Sequence, residues 1–249
     1  RGLGDVYKRQ GQKIWTSGAQ HANWMFALVR TDPEAPKHDG ISFVLLPMDQ
    51  PGVTVKPIKL ISGSSPFCET FFDNAVASRE DLIGEMNKGW TVGKRLLQFE
   101  RNATAPAKPK SKKKRLNPYA SIAKEYIGED ASGKIADHAT REKILTQTIQ
   151  ERAMALTTRR VMDESKVSGA PGAATSIFKL VGSTLAKEGS QLKSELRGTA
   201  GLVWEGGEFS EAELESTRSW LRDRAVTIYG GTNEVQMNII AKRVLGLPD

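Results

Sequence analysis

The feature that most constrains this chain is a change in the period of its apolar residues near residue 85. From Gly11 to about Gly84, short runs rich in β-branched and aromatic residues alternate with Pro, Gly, Asp and Asn. They are Trp24–Arg30, Ile41–Pro47, Val53–Ile58 and Glu69–Asp73. Runs of that length bounded by turn residues read as strands of an antiparallel barrel or sandwich. From Gly89 onward the spacing becomes three and four. Ile144, Leu145, Ile149, Ala153 and Leu156 follow it, as do Ile177, Phe178, Val181, Leu185, Leu192 and Leu196. The last helix is expected to begin after Thr232 or Asn233 and to bury Val235, Ile239, Ile240 and Val244. It should stop at Gly246, with Pro248 beyond. The predicted class is α+β: a partial antiparallel β-barrel or sandwich over 11–85, then an antiparallel α-helical bundle over 86–249. Residues 1–10 fit the sheet pattern poorly and read as a leader foreign to it. The chain opens without methionine and reads as a piece of a longer protein.

Charge and composition exclude several function classes. The net charge is +7, but residues 106–115 alone carry six Lys and Arg and no acid, which leaves the remainder at +1. The basicity is therefore local, in a loop placed at 106–118 where Pro106, Pro109 and Ser111 disfavour helix. No aromatic residues interleave with these lysines and no nucleic-acid motif accompanies them, so no nucleic-acid partner is expected. No apolar run approaches the roughly 18 residues of a membrane span, so no stable membrane insertion is expected. The single cysteine, Cys68, fits a reducing compartment, and the three histidines are scattered, so no metal site is expected.

Two segments carry chemistry. Gly11-Gln-Lys-Ile-Trp-Thr-Ser-Gly-Ala19 sets an indole and two hydroxyls at a strand end, and an indole offers a flat apolar face to an aromatic ligand. Arg224 to Gln236 runs through paired glycines, Gly230 and Gly231, into the last helix, and glycines before a helix let a ligand approach backbone amides. Taken singly, Trp15 reads equally as core packing and Thr232 as a helix cap.

In order along the chain, these and further segments resemble the acyl-CoA dehydrogenase family. The middle domain of that family is similar to Lys-Ile-Trp-Thr-Ser-Gly-Ala, Gly-Ile-Ser-Phe-Val-Leu, Pro-Gly-Val-Thr-Val and Phe-Phe-Asp-Asn-Ala-Val here. Leu-Ile-Gly-Glu-Met-Asn-Lys-Gly-Trp and the closing Tyr-Gly-Gly-Thr-Asn-Glu-Val-Gln-Met-Asn-Ile-Ile-Ala-Lys-Arg-Val-Leu-Gly resemble it as well. The resemblance covers most of 11–103 and 170–248. It implies FAD as cofactor and the making of a 2,3-double bond in an acyl-CoA thioester, with a glutamate taking the Cα proton while hydride leaves Cβ for flavin N5. It also implies an electron-transferring flavoprotein as acceptor, and a homo- or hetero-oligomer, tetramer or dimer, formed through the bundle.

The resemblance carries roles position by position. Many members place the base just before the Gly-Thr of the closing motif, where this chain has Gly230. A branch that includes isovaleryl-CoA and long-chain acyl-CoA dehydrogenases carries it on an earlier helix, just before an arginine. Glu100, followed by Arg101, matches that relocated base, and Gly230 remains able to supply an amide to the thioester oxygen. Trp15, Thr16 and Ser17 match flavin-side positions, and Gly231, Thr232 and Glu234 match the pyrophosphate and ribose side. Gly198 and Gly201, in Arg197-Gly-Thr-Ala-Gly201, resemble the turn that meets a neighbouring subunit's adenosine. Arg101 and Tyr229 fall on the substrate side. The family's N-terminal helical domain, its Thr-Glu-Pro…Gly-Ser-Asp stretch and its Arg-x-x-Phe-Gly motif are not found in this sequence, so the chain by itself is not expected to turn over substrate. The alternatives are a non-catalytic flavin-binding partner subunit and a basic interaction module on the same fold. The implied location is bacterial cytoplasm or mitochondrial matrix.

Overall fold

The computed structural model describes residues 2–3, 6–103, 117–168 and 175–248. The chain divides into two compact units, residues 1–109 and 110–249.

The first unit holds two antiparallel sheets and one helix. Strands β1 (Gly2–Leu3), β2 (Val6–Ser17), β5 (Val53–Ile58) and β6 (Phe67–Ser78) form a sheet in the order β1-β2-β6-β5. Strands β3 (Trp24–Arg30) and β4 (Ile41–Pro47) pair from Trp24↔Pro47 to Arg30↔Ile41 as the second. Strand β2 runs without a break through Gly11, the boundary expected between leader and domain. Ala27, Val29, Val44 and Leu46 of the smaller sheet bury against Phe72, Ala75 and Ala77 of the larger, which makes the unit a sandwich. Alternation along β6 buries Cys68, Thr70 and Phe72, then jumps three residues to Ala75. A bulge absorbs the jump: Arg9 pairs with Ala75 and Gly11 with Phe72, and Asn74 takes φ 56° in the left-handed region. Without that extra residue, everything beyond Asp73 would face the wrong side of the sheet.

Helix α1 (Gly89–Ala103) begins on this sandwich. A Cβ on Gly89 would stand 2.2 Å from the Phe43 nitrogen and 2.3 Å from the Ser42 carbonyl carbon, so only glycine allows the first turn to touch β4. The approach is sealed by polar groups: the Asn87 amide donates to Ser42 Oγ at 2.8 Å, and Thr31 Oγ1 lies 2.7 Å from the same oxygen. Ser42 is wholly buried, and these bonds satisfy it.

The second unit is helical. Its elements are α2 (Pro118–Tyr126), α3 (His138–Ser168), α4 (Thr175–Glu195), α5 (Glu211–Arg222) and α6 (Asn233–Ile239). Local sequence sets their starts. Asn117 Oδ1 caps α2 by accepting from the Tyr119 and Ala120 amides, with Pro118 in the first turn where a missing N–H costs nothing. Ser210 and Glu213 form a reciprocal capping box on α5, and Thr232 caps α6. The core gathers Tyr119, Ala123, Ile135, Ile144, Leu192 and Leu196.

Two expectations about burial need correction. On α3, Ile144 is buried, but Leu145 and Ile149 are 60% and 65% exposed and Leu156 is half-exposed. The inward stripe is instead Ile144, Gln147, Thr158 and Val161. Its polar members are satisfied locally: Gln147 Nε2 donates to the Leu185 carbonyl at 3.0 Å, and Thr158 Oγ1 donates to the Met154 carbonyl at 2.9 Å. On the last helix, Val235 and Val244 are exposed. The α-helix ends at Ile239 and widens into a π-turn over Ile240–Val244, so the four-residue face is not maintained; Gly246, with φ 67°, follows as expected. The helical part expected from residue 86 is shared, since α1 belongs to the first unit. The basic loop lies mostly outside the described residues.

A Gly89→Ala substitution is expected to cost about 1–3 kcal/mol, measured by urea denaturation, because rigid backbone meets the new methyl. Gly93→Ala on the same helix meets only the end of Leu28, at 3.2 Å, and should be close to neutral because helix propensity favours alanine by about 1 kcal/mol.

Candidate functional site

In the first unit the site begins at the end of β2. Lys13 pairs with Thr70 and Thr16 with Cys68, so Ile14 and Trp15 together oppose Glu69 in a second bulge. Trp15 has φ 62°, a conformation that costs a bulky residue about 1–3 kcal/mol unless neighbours over-determine it. Neighbours do. Thr16 Oγ1 donates to the Cys68 carbonyl at 2.8 Å and sits 2.8 Å from Thr70 Oγ1, which pins the residue after the bulge. The Gly18 amide then donates to the Pro66 carbonyl at 2.9 Å. Thrown outward, the Trp15 indole is 57% exposed and stands edge-on to Phe67, with ring centroids 6.0 Å apart. Ser17 is exposed beside it. The two hydroxyls expected together at this strand end thus part: Ser17 is open, and Thr16 is engaged with β6.

Glu100 lies eleven residues into α1 from Gly89, roughly 16 Å along the axis. The anchored first turn sets its height. Trp90 adds a further tie, stacking parallel on His38 of the β3–β4 loop at 4.1 Å. Glu100 is exposed, as are Leu96, Leu97 and Phe99 around it. The Arg101 backbone continues the helix, and its side chain lies outside the described residues.

In the second unit the closing motif forms a turn ahead of α6. Gly230 and Gly231 take φ 66° and 91°. Among the described residues neither of their amides has an acceptor, whereas the Tyr229 amide bonds the Ala225 carbonyl and the Asn233 amide the Thr227 carbonyl. Tyr229 is half-exposed. Thr232 Oγ1 accepts from the Val235 amide at 3.3 Å. The Glu234 carboxyl is held below its usual range by its own backbone amide and then by the Thr232 hydroxyl. Both side chains therefore work at the start of α6. Gly198 is exposed, with open space where a Cβ would project. Gly201 is buried, and its carbonyl accepts from Thr217 Oγ1 at 3.0 Å, so the two glycines of that turn differ: one presents backbone, the other packs.

Sequence reasoning missed a polar group between the helices and a lysine. Burial, and then its bond to Glu151, pushes the Tyr119 phenol well up from 10.0. A cavity of about 530 Å³ opens beside it, lined among others by Glu151, Lys193, Arg197 and Asp223. Lys179 of α4 donates to the Val226 carbonyl and lies 4.9 Å from the Tyr229 ring centroid. Its signal in the sequence was a charge inside the apolar run Ile177–Val181. Among the described residues no group of three His, Cys, Asp or Glu could hold a metal, and no helix is long and apolar enough to cross a membrane.

The first unit is thus a sheet sandwich with an outward indole, and the second a helical unit whose two turn glycines present amides without an acceptor among the described residues. Residues 87–245 match the C-terminal domain of acyl-CoA dehydrogenases and residues 2–75 their middle domain. The chain belongs to the acyl-CoA dehydrogenase family. Acyl-CoA dehydrogenase IpdE1 of Mycolicibacterium smegmatis is 36% identical over 238 residues, which are 96% of this chain and 57% of the relative. The solved Tcur3481-Tcur3483 steroid ACAD superposes with a TM-score of 0.81 at 25% identity, over 99% of this chain and 62% of its own. The ChsE4-ChsE5 complex of Mycobacterium tuberculosis gives 0.77 at 26%, over 100% and 63%. The chain thus spans about three-fifths of the length of these proteins.

If the left-handed bulge is an imposed strain, Trp15→Gly should be more stable than Trp15→Ala by about 1 kcal/mol in chemical denaturation, since both lose the indole and only alanine keeps the unfavourable φ.

Proposed function

We propose that the protein oxidises an acyl-CoA thioester between Cα and Cβ with bound FAD, Glu100 acting as the base. One observation carries the reading: Gly230 stands where many members of the family hold the base, while Glu100, followed by Arg101, rides on a helix whose start is locked to the sandwich. A thioester Cα proton is very weakly acidic. The carboxylate at Glu100 takes it only if the charge that develops on the thioester oxygen is met by preorganised donors. The Gly230 amide, without an acceptor among the described residues, suits that task, with Gly231 beside it. Exposed groups suit a flat heteroaromatic cofactor: the Trp15 indole for its face and the Ser17 hydroxyl for its edge, while the open backbone at Gly198 suits the adenosine end of a neighbouring subunit's FAD. Thr16 serves by fixing the bulge, Gly201 by closing the Gly198 turn, and Thr232 and Glu234 at the pyrophosphate and ribose side. Bound FAD supplies the two-electron acceptor for the hydride that leaves Cβ. Arg101 and Tyr229 face the acyl-CoA.

The solved neighbour titled a steroid ACAD supports a bulky acyl group as substrate, and mycobacterial relatives support a bacterial cytoplasmic setting. Electrons would pass on to an electron-transferring flavoprotein. The apolar outer stripe of α3, with Leu145, Ile149 and Leu156, supports assembly through the bundle, and the complex among the neighbours supports a hetero-oligomer. That complex also favours a second reading, a flavin-binding subunit whose partner does the chemistry.

Carried to the length of its relatives and loaded with FAD, the protein should lose its flavin absorption anaerobically when a steroid-type or other bulky acyl-CoA is added. Glu100→Gln should slow that bleaching by about 10²–10⁴-fold. Undiminished bleaching would remove Glu100 from the mechanism, and bound flavin that no thioester bleaches would favour the partner-subunit reading. Replacing Leu145 and Ile149 by Glu should lower the assembly state in sedimentation while leaving helicity unchanged, because both side chains are already exposed in the single chain.

A further inference from the structure

Lys179 is a charged group beside the glycine turn. It lies on α4 one turn before Ser183, which shares its face, and Thr184 follows. Those two hold the far end of the turn: Ser183 Oγ lies 2.9 Å from Asn233 Oδ1, and Asn233 Nδ2 donates to Thr184 Oγ1 at 3.4 Å. Lys179 holds the near end. Its ammonium donates to the carbonyl of Val226, a buried residue, and rests over the Tyr229 ring. Its Cε would be 3.9 Å from a Cβ at residue 230, the one heavy atom within 4 Å of that point among the described residues other than the glycine and its two chain neighbours. The lysine stem therefore flanks the side from which a residue-230 side chain would leave the backbone. Burial lowers the Lys179 pKa, so its charge depends on these partners in place of water.

We propose that Lys179 is a positioning residue for the reaction: by tying the Val226 carbonyl and the Tyr229 ring to α4, it holds the Gly230 and Gly231 amides in the orientation that receives the thioester oxygen. The geometry gives it this role because glycines at φ 66° and 91° do not hold a turn by themselves. A turn whose donors must be aimed before charge develops needs an external tie at each end. Asn233 supplies one. Lys179 supplies the other through a charge-assisted bond and a cation–π contact, its own ammonium acting through Val226 and Tyr229.

The inference rests on the dehydrogenase reading, and two readouts keep the failures of the two apart. The first needs no activity: amide hydrogen exchange in Lys179→Met, which keeps the stem and deletes the charge. Exchange over residues 226–232 should rise about tenfold while that of α5 is unchanged, and Lys179→Arg should restore most of the protection. Exchange unchanged over 226–232 would overturn the proposal whatever the protein catalyses. The second is the anaerobic flavin-reduction rate with a bulky acyl-CoA. Lys179→Met should lower the limiting rate about tenfold or more with the dissociation constant for acyl-CoA within about twofold, and Lys179→Arg should recover part of the rate. A limiting rate within twofold of wild type, or a loss confined to binding, would also overturn it. If wild type reduces no flavin, the dehydrogenase reading fails and the exchange result alone decides whether Lys179 ties the turn. Should Lys179→Met not fold, Tyr229→Leu removes the ring beneath the ammonium. It should raise the same exchange by a smaller factor, and no rise would count against the tie.

Discussion

The contact on which most of this structure depends is the one between the first turn of α1 and strand β4. Gly89 meets the backbone of Ser42 and Phe43 at a distance no side chain permits, and the buried Ser42 hydroxyl closes the contact through Asn87 and Thr31. Everything Glu100 can do follows from it. A carboxylate three turns along a helix is only as well placed as the helix start, and a helix lying on a sheet needs a point where its axis is fixed. Without a Cβ at 89 the backbones seat directly on one another, so the sandwich fixes the start of α1.

The same economy recurs at the other functional segments. Trp15 is thrown out of the sheet by a bulge, and the strain of its left-handed backbone is held by a threonine bonded to two residues of the neighbouring strand. The turn of Gly230 and Gly231 is met from α4 at both ends, by Lys179 at Val226 and by Ser183 and Thr184 at Asn233. In each case an indole, a carboxylate or an amide is on display, and the groups that hold it are engaged within the fold. Donors and acceptors that are fixed before the reaction need no reorganisation during it, which is what electrostatic stabilisation of a developing oxyanion requires.

Much of this was legible in the sequence because it rests on local rules. The change of period at Gly89, the cap at Thr232, and the paired glycines before the last helix are written in a few adjacent residues each. The family resemblance ordered them along the chain. What was not legible depends on contacts between distant segments. Thr16 looked like a hydroxyl open to a ligand beside Ser17, but a bulge one residue earlier turns it onto Cys68 and Thr70. The apolar stripe of α3 looked like core, yet a helix of 31 residues carries two stripes, and the one turned inward is satisfied by polar bonds from Gln147 and Thr158.

The central claim is that a carboxylate on α1, and none on the closing motif, takes the Cα proton. The most direct measurement is deuterium uptake from heavy water at Cα of an acyl-CoA that the protein binds but cannot oxidise, followed by mass spectrometry. The account predicts that exchange requires the Glu100 carboxylate and is lost with it, while Glu234→Gln, which deletes the carboxylate of the closing motif and keeps a polar group at the ribose side, leaves exchange intact in protein that retains FAD. Exchange that persists without Glu100, or that disappears with Glu234, would contradict it.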